Sequence, residues 1–367
     1  MTCRILIVED DNDMIESLKG AFSRLLVECE VFPCGFADAA KKIAEILPDV
    51  AVLDIFEDQI TGESINAVQL PLAYIWDQHF CPIVFHSAHP LEQYSSDNHP
   101  FVRCETKGGG SLERVAAHIK EFAPEIDGLR AIRDELSRSI HETLVKVSPL
   151  IWQPGKSSLG LTDKLLRAVR RRMAAALDHP AKPLEKLEAW EQYICPPIGK
   201  DLLTGDILLA SSRDNKDPAS YRLVLSPSCD LVMGRPNTLK QVLVAECVRV
   251  KKFVEKTRIP KETLVEKLPM ELTKDQVSGL MVLPAFSNAI PLMAANLRKL
   301  SLIPYADIAP QSGETKLFIR IANLDSPFRE RLAWAYLQIA GRPGVPDVDV
   351  QSLAADIDQA IKASTKA

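Results

Sequence analysis

A chain of 367 residues exceeds what one ordinary hydrophobic core accommodates, so at least two domains are expected. With 46% hydrophobic and 25% charged residues it reads as a soluble globular protein, and a formal net charge of −5 excludes a general attraction to nucleic acid, though not a local basic patch. No apolar run is long enough for a bilayer and no secretory leader is recognisable, so a cytoplasmic protein without membrane attachment is expected. Eight scattered cysteines without a Cys-x-x-Cys pair point to buried thiols rather than disulfides or zinc ligands.

Residues 4–8 form a short aliphatic run, the pattern of a strand buried on both faces of a parallel sheet, and Glu9, Asp10 and Asp11 follow at its carboxyl end. Met14, Leu18, Ala21, Phe22 and Leu25 recur at helical spacing in residues 13–26. Residues 28–32 read as a second strand, 37–47 as a helix closed by Pro48, and 50–53 as a third strand ending at Asp54. Residues 82–86, followed by Ser87, and residues 101–106, followed by Lys107, supply a fourth and a fifth strand. This alternation predicts a doubly wound, five-stranded parallel sheet.

In such sheets the functional crevice lies beyond the carboxyl ends of the strands, which brings Glu9, Asp10 and Asp54 together. Three close carboxylates repel one another and gain proton affinity unless a cation neutralises them. Magnesium, which takes oxygen ligands and bridges carboxylates to phosphoryl oxygens, is the expected occupant. A hydroxyl at Ser87 and an ammonium at Lys107 would complete a phosphoryl-binding site.

The ordered set Ile5-Leu6-Ile7-Val8-Glu9-Asp10-Asp11, Val50-Ala51-Val52-Leu53-Asp54, Gly62, Ser87-Ala88 and Lys107 resembles the receiver domain of two-component response regulators over residues 4–122. The resemblance implies a flavodoxin-like fold, Asp54 as acceptor of a phosphoryl group from a histidine kinase, and Glu9, Asp10 and Asp54 as the magnesium site. Ser87 and Lys107 would contact the phosphoryl oxygens. Two departures concern the output: Lys107 is followed by Gly108-Gly109-Gly110 where the family has proline, and Cys104 stands where it has a reporting aromatic residue. Residues 64–80, with Tyr74 and Trp76, exceed a minimal receiver, and Phe56 and His89 stand two residues beyond Asp54 and Ser87.

Residues 111–122 read as a helix interrupted near Pro124, after which Leu129, Ile132, Leu136, Ile140, Leu144 and Val147 keep helical spacing. That stretch, 125–148, either packs on its own protein or forms a homodimer seam. Residues 153–160 read as a linker, and residues 161–177 as a helix carrying Arg167, Arg170, Arg171 and Arg172.

The last part is strand-like at 206–210, 221–225, 241–250, 279–283 and 316–321, with a helix at 326–340, which predicts a mostly-β, small barrel-like domain with peripheral helices. The expected organisation is therefore a receiver domain at 1–123, helical linkers at 124–200 and a β-rich domain at 201–367. The stretches Gly205-Asp206-Ile207, residues 223–230, residues 326–329 and residues 342–346 resemble a bacterial domain of unknown function. Cys229 beside Asp230 is a candidate nucleophile, but the last histidine is His179, so a buried structural thiol is the favoured reading.

The reading for the whole chain is a response regulator with no enzymatic activity beyond taking up and slowly losing its own phosphoryl group. A phosphate sink acting on a kinase, another response regulator or an effector protein is one form of it, and the layout is similar to accessory regulators of Detocs-type phage-defence systems. The alternatives are a transcriptional regulator using the basic helix, although nucleic acid is not the expected partner, and a phosphorylation-gated enzyme centred on Cys229. Bulky Phe56 is expected to shield an acyl phosphate from water; Phe56→Asn should shorten phosphoryl lifetime, and an unchanged decay would refute this.

Overall fold

The computed structural model describes residues 2–54, 75–88, 99–151, 161–177, 186–233, 239–310, 316–341 and 349–364. Phe56, Gly62, Tyr74 and His89 lie outside these, as do residues 342–346. The chain divides into two compact units, Met1–Pro183 and Leu184–Ala367.

The first unit contains β1 (Cys3–Val8), α1 (Asn12–Leu25), β2 (Cys29–Cys34), α2 (Ala39–Ile46), β3 (Val50–Leu53), β4 (Ile83–Ser87), β5 (Val102–Thr106) and α3 (Ser111–Glu121). The five strands are parallel in the order β2-β1-β3-β4-β5, the flavodoxin-like doubly wound arrangement expected from the alternating pattern. Every residue of β3 is buried because successive side chains enter different cores. Leu6, Val8, Ala51, Leu53 and Phe85 pack with Ala39 and Ile43 of α2. Ile5, Ile7, Val50, Val52 and Val84 pack with Leu18 and Phe22 of α1 and Val115 and Ile119 of α3.

A continuous helix, α4 (Ala123–Ile151), follows α3 and packs on α5 (Leu161–Leu177). Ile126 is buried on the receiver side, and Thr143 and Val147 are buried farther along α4. Ile132, Leu136 and Ile140, between them, are exposed. The foot of α4 is fixed at the amino edge of the sheet, opposite the carboxyl edge where Asp54 lies. Arg130 Nε donates to Asp49 Oδ1 at 2.8 Å and Arg130 Nη2 donates to the Thr2 carbonyl at 2.9 Å. The Arg4 backbone N–H also donates to Asp49 Oδ2 at 2.8 Å.

The second unit carries β6 (Tyr193–Ile194), β7 (Asp206–Ala210), β8 (Tyr221–Val224), β9 (Gln241–Arg249), β10 (Leu280–Leu283), β11 (Met293–Pro304), β12 (Ile308–Ala309) and β13 (Phe318–Leu324). Its helices are α6 (Lys251–Thr257), α7 (Leu264–Leu272), α8 (Phe328–Ala340) and α9 (Val350–Ser364). The strands run β10-β11-β9-β8-β7-β13-β12, with β6 beside β13; all ladders are antiparallel except β12 with β13. Among the described residues no ladder joins β10 to β12, so the sheet path has open ends. Alternate residues enter two cores: Ile207, Leu223 and Ala245 face one, and Leu208, Val224 and Val244 the other.

The longest strand, β11, is absent from the sequence reading. A register shift between Asn296 and Leu300, within the charged stretch Arg298-Lys299, breaks the period-two pattern that would reveal it. The helices at residues 251–257, 264–272 and 350–364 are likewise absent from the sequence reading. All eight cysteines are free thiols, but Cys229 is exposed rather than buried, because the 3-10 turn Ser228–Asp230 carries it out of the strand alternation. Among the described residues no helix is long and apolar enough to cross a membrane.

Burial alone would raise the Asp49 pKa, but hydrogen bonds from Arg130 and Arg4 outweigh it and hold the carboxyl down at about 2. A depressed folded-state pKa gives stability that is present above the unfolded value and lost as pH falls through the folded one, here about 2 kcal/mol lost between about pH 4 and pH 2. Arg130→Ala should remove about 1–2 kcal/mol of it in denaturant unfolding at pH 7, and the difference from wild type should shrink toward pH 2; an undiminished difference at pH 2 would count against the ionic origin.

Candidate phosphoryl-acceptor site

The sheet carries three side chains to one point on its carboxyl edge. Lys107, the residue after β5, places Nζ 2.7 Å from Asp54 Oδ2 and 2.8 Å from Glu9 Oε2. Glu9 follows β1 and Asp54 follows β3, neighbouring strands. The backbone fixes all three: Asp54 N–H donates to the Val8 carbonyl at 3.0 Å, Glu9 N–H to Cys34 at 3.2 Å, and Lys107 N–H to Ser87 at 2.9 Å.

Burial raises the Glu9 pKa above the ordinary carboxylate value; hydrogen bonds from Lys107 and the Asp11 backbone oppose the rise, and the Asp54 charge adds to it. Burial works against the Lys107 ammonium too, yet its hydrogen bonds to Asp54 and Glu9 prevail and raise its pKa. The expected mutual repulsion of the carboxylates is thus met by the chain's own cation.

The three acidic residues after β1 do different things. Glu9 is buried, Asp10 is exposed, and Asp11 caps α1, its Oδ1 accepting from Asp13 N–H at 2.9 Å. Asp10 Oδ1 lies where a Cβ on Gly35 would come within 2.9 Å, so the glycine after β2 leaves room for that carboxylate. Among the described residues no three acidic, histidine or cysteine side chains converge as a ready metal cluster.

Ser87 is fully buried at the end of β4. Cys104 is half-buried beside the core that holds Phe85, and burial pushes its thiol up to about 11. Sequence reading missed Gly35 and a second pair, His86 and Ser111: His86 Nε2 lies 3.0 Å from Ser111 Oγ, which accepts the Gly108 N–H at 3.3 Å. A polar residue inside the apolar run Ile83–Ser87 was the available signal for His86. Burial, then the Lys107 charge, push the His86 imidazole down to about 4, which leaves it neutral at pH 7.

Elsewhere, Arg167, Arg170, Arg171 and Arg172 are exposed on α5. In the second unit, Cys229 Sγ lies 3.3 Å from Asp230 Oδ1. The sequence stretches around Thr204, Ser226 and Arg329 meet in one packed corner. Thr204 N–H donates to Ser228 Oγ at 2.9 Å and its hydroxyl to the Ser226 carbonyl at 2.7 Å. Gly205, at φ +86°, has Leu324 Cβ and Arg329 Cγ 3.1 and 3.5 Å from where its Cβ would be, which explains a glycine there. Below it Arg320 and Asp206 form a fully buried ion pair at 2.9 Å. Burial outweighs the arginine's effect and raises Asp206 to about 6.

No protein-family model matches the chain, and no curated protein is similar to it in sequence. Among solved structures it is similar to a two component transcriptional regulator AraC from Clostridium phytofermentans ISDg, at 16% identity and TM-score 0.27, over 35% of this chain and 98% of that one. It is similar to the response regulator domain of Thermotoga maritima CheB at 22% identity and TM-score 0.26, over 35% of this chain and 96% of that one. NtrX from Brucella abortus, solved in complex with ATP, is similar at 20% identity and TM-score 0.29, over 47% of this chain and 41% of its own length. Likeness at these levels says nothing of function, which rests on the site's own residues.

Replacing Lys107 by methionine leaves Glu9 and Asp54 without their cation. The Glu9 carboxyl, which burial already raises, then loses the Lys107 hydrogen bond that opposes the rise, and a raised folded-state pKa gives stability that is lost as pH rises. Lys107→Met should therefore cost about 2 kcal/mol at pH 8 and less at pH 5; a pH-independent cost in urea unfolding would refute the electrostatic account.

Proposed function

We propose that the protein is a response regulator whose Asp54 takes a phosphoryl group from the phosphohistidine of a partner kinase. The observation that carries this is the Lys107 ammonium shared between Glu9 and Asp54 at the carboxyl edge of a flavodoxin-like sheet. Asp54 attacks phosphorus, a P–O bond forms as the P–N bond to the kinase histidine breaks, and the imidazole leaves. Lys107, already bonded to the nucleophile, lies ready to donate to a phosphoryl oxygen and balance its charge. Ser87 supplies a hydroxyl from the next strand end.

Magnesium fits the donor set. Glu9, Asp54 and Asp10 offer only oxygen, they exceed the one ammonium among them in negative charge, and Gly35 leaves space beside Asp10. When bound it would neutralise charge on the transferring phosphoryl group.

Holding the phosphoryl group is itself the output in this reading, which makes the protein a phosphate sink for its kinase. Cys104, a small thiol packed beside Phe85, replaces a rotating aromatic reporter on β5. The exposed apolar residues Ile132, Leu136 and Ile140 of α4 support a homodimer as the form that meets the kinase.

Incubation of the full chain with a small phosphodonor and magnesium should add one phosphoryl mass, and Asp54→Ala should add none. Omission of magnesium should slow uptake at least about tenfold. Equal labelling of Asp54→Ala would refute the assignment, and oligomeric state read on the same samples tests the homodimer.

A further inference from the structure

The loop after Lys107 is three consecutive glycines, the most conformationally free sequence a chain can carry. Packing does not restrain it: a Cβ on Gly108 or Gly109 would meet nothing within 4 Å. Its order comes from a few hydrogen bonds. Lys107 N–H donates to the Ser87 carbonyl at 2.9 Å, Ser111 N–H to the Gly108 carbonyl at 3.1 Å, and Arg114 Nη1 to the Gly109 carbonyl at 3.2 Å. Ser111 Oγ accepts from Gly108 N–H at 3.3 Å and lies 3.0 Å from His86 Nε2. The loop is therefore fastened at both ends to consecutive residues of β4, His86 and Ser87.

His86 is 1% exposed and Ser111 3%, so their bond is shielded from competing water. The other ring nitrogen, Nδ1, is buried without a hydrogen-bond partner in the described structure. A half-satisfied buried imidazole is costly, and a leucine of similar size would fill the space without that cost. The contact with Ser111 is the one hydrogen bond the imidazole makes among the described residues.

We propose that His86 and Ser111 are positioning residues that fasten the glycine loop and so hold the Lys107 ammonium against Glu9 and Asp54. This rests on the phosphoacceptor reading of Asp54 given above. Without a side chain in the loop to restrict its backbone, the fastening must come from beneath, and His86 supplies it.

The test follows phosphoryl uptake from phosphoramidate with magnesium in the full chain, together with thermal melting. His86→Leu should melt no lower than wild type yet take up phosphate about tenfold more slowly, and Ser111→Ala should be slowed similarly. Gly108→Ala with Gly109→Ala, placed in the His86→Leu background, should recover several-fold of the rate by stiffening the loop, since neither glycine has a positive φ. Wild-type rates in both single variants, or a rate loss that tracks a loss of melting temperature, would overturn the positioning role. Amide exchange in the wild type adds a check that needs no variant: Gly108 N–H should be protected, and exchange at the free-loop rate would overturn it too. Absence of uptake by wild type, or equal uptake by Asp54→Ala, would remove the phosphoacceptor reading and the positioning role with it. Normal Asp54 labelling with an unaffected His86→Leu would remove the positioning role alone.

Discussion

Two carboxylates at one edge of a sheet repel each other unless a cation lies between them, and here Lys107 is that cation. Its ammonium touches both Glu9 and Asp54 within ordinary hydrogen-bond distance. The contact links the ends of the neighbouring strands β1 and β3 to that of β5, which β4 separates from them, so it reports sheet order rather than one turn. A strand slipped by one residue would turn the apolar side chains beside the site to the wrong face and part the three charges.

The amino edge of the same sheet holds a second charged group of opposite design. Asp49 is buried under three arginines, Arg4 of β1 and Arg130 and Arg133 of α4, and remains ionised far into acid. At the carboxyl edge two acids share one lysine, leaving negative charge in excess; at the amino edge one acid is surrounded by positive charge. The first arrangement leaves negative charge uncompensated at a sheet edge, and the second fixes a helix in place. The asymmetry separates the edge of the sheet that keeps negative charge in excess from the edge that anchors α4.

In the second unit the polar groups are turned inward. Arg320, Asp206 and Asn323 are buried together, with Arg320 also donating to the Gly199 carbonyl at 3.0 Å and Asn323 Nδ2 to Asp206 at 2.7 Å. Such a network joins β7 and β13 to the preceding loop and accounts for the Gly205-Asp206 stretch as architecture. The hydroxyls of Thr204 and Ser228 do the same for the turn that displays Cys229.

The sequence by itself determined the order of elements in the first unit and the placement of Glu9, Asp54, Ser87 and Lys107 at strand ends, because fully apolar strands and amphipathic helices carry strong local periods. It also marked the residues of the second-unit corner without saying what joined them. It could not show β11, whose bulge erases its own pattern, nor the exposure of Cys229, which follows from a turn rather than a strand. Only the tertiary structure decided that Asp11 caps a helix while Glu9 turns inward, that Gly35 makes room for Asp10, and that His86 reaches Ser111. Those facts depend on side chains 25 residues or more apart, or on single φ/ψ choices at a strand end, and neither leaves a period in the sequence. The charges at the site were legible one by one; their sharing of a single ammonium required the fold.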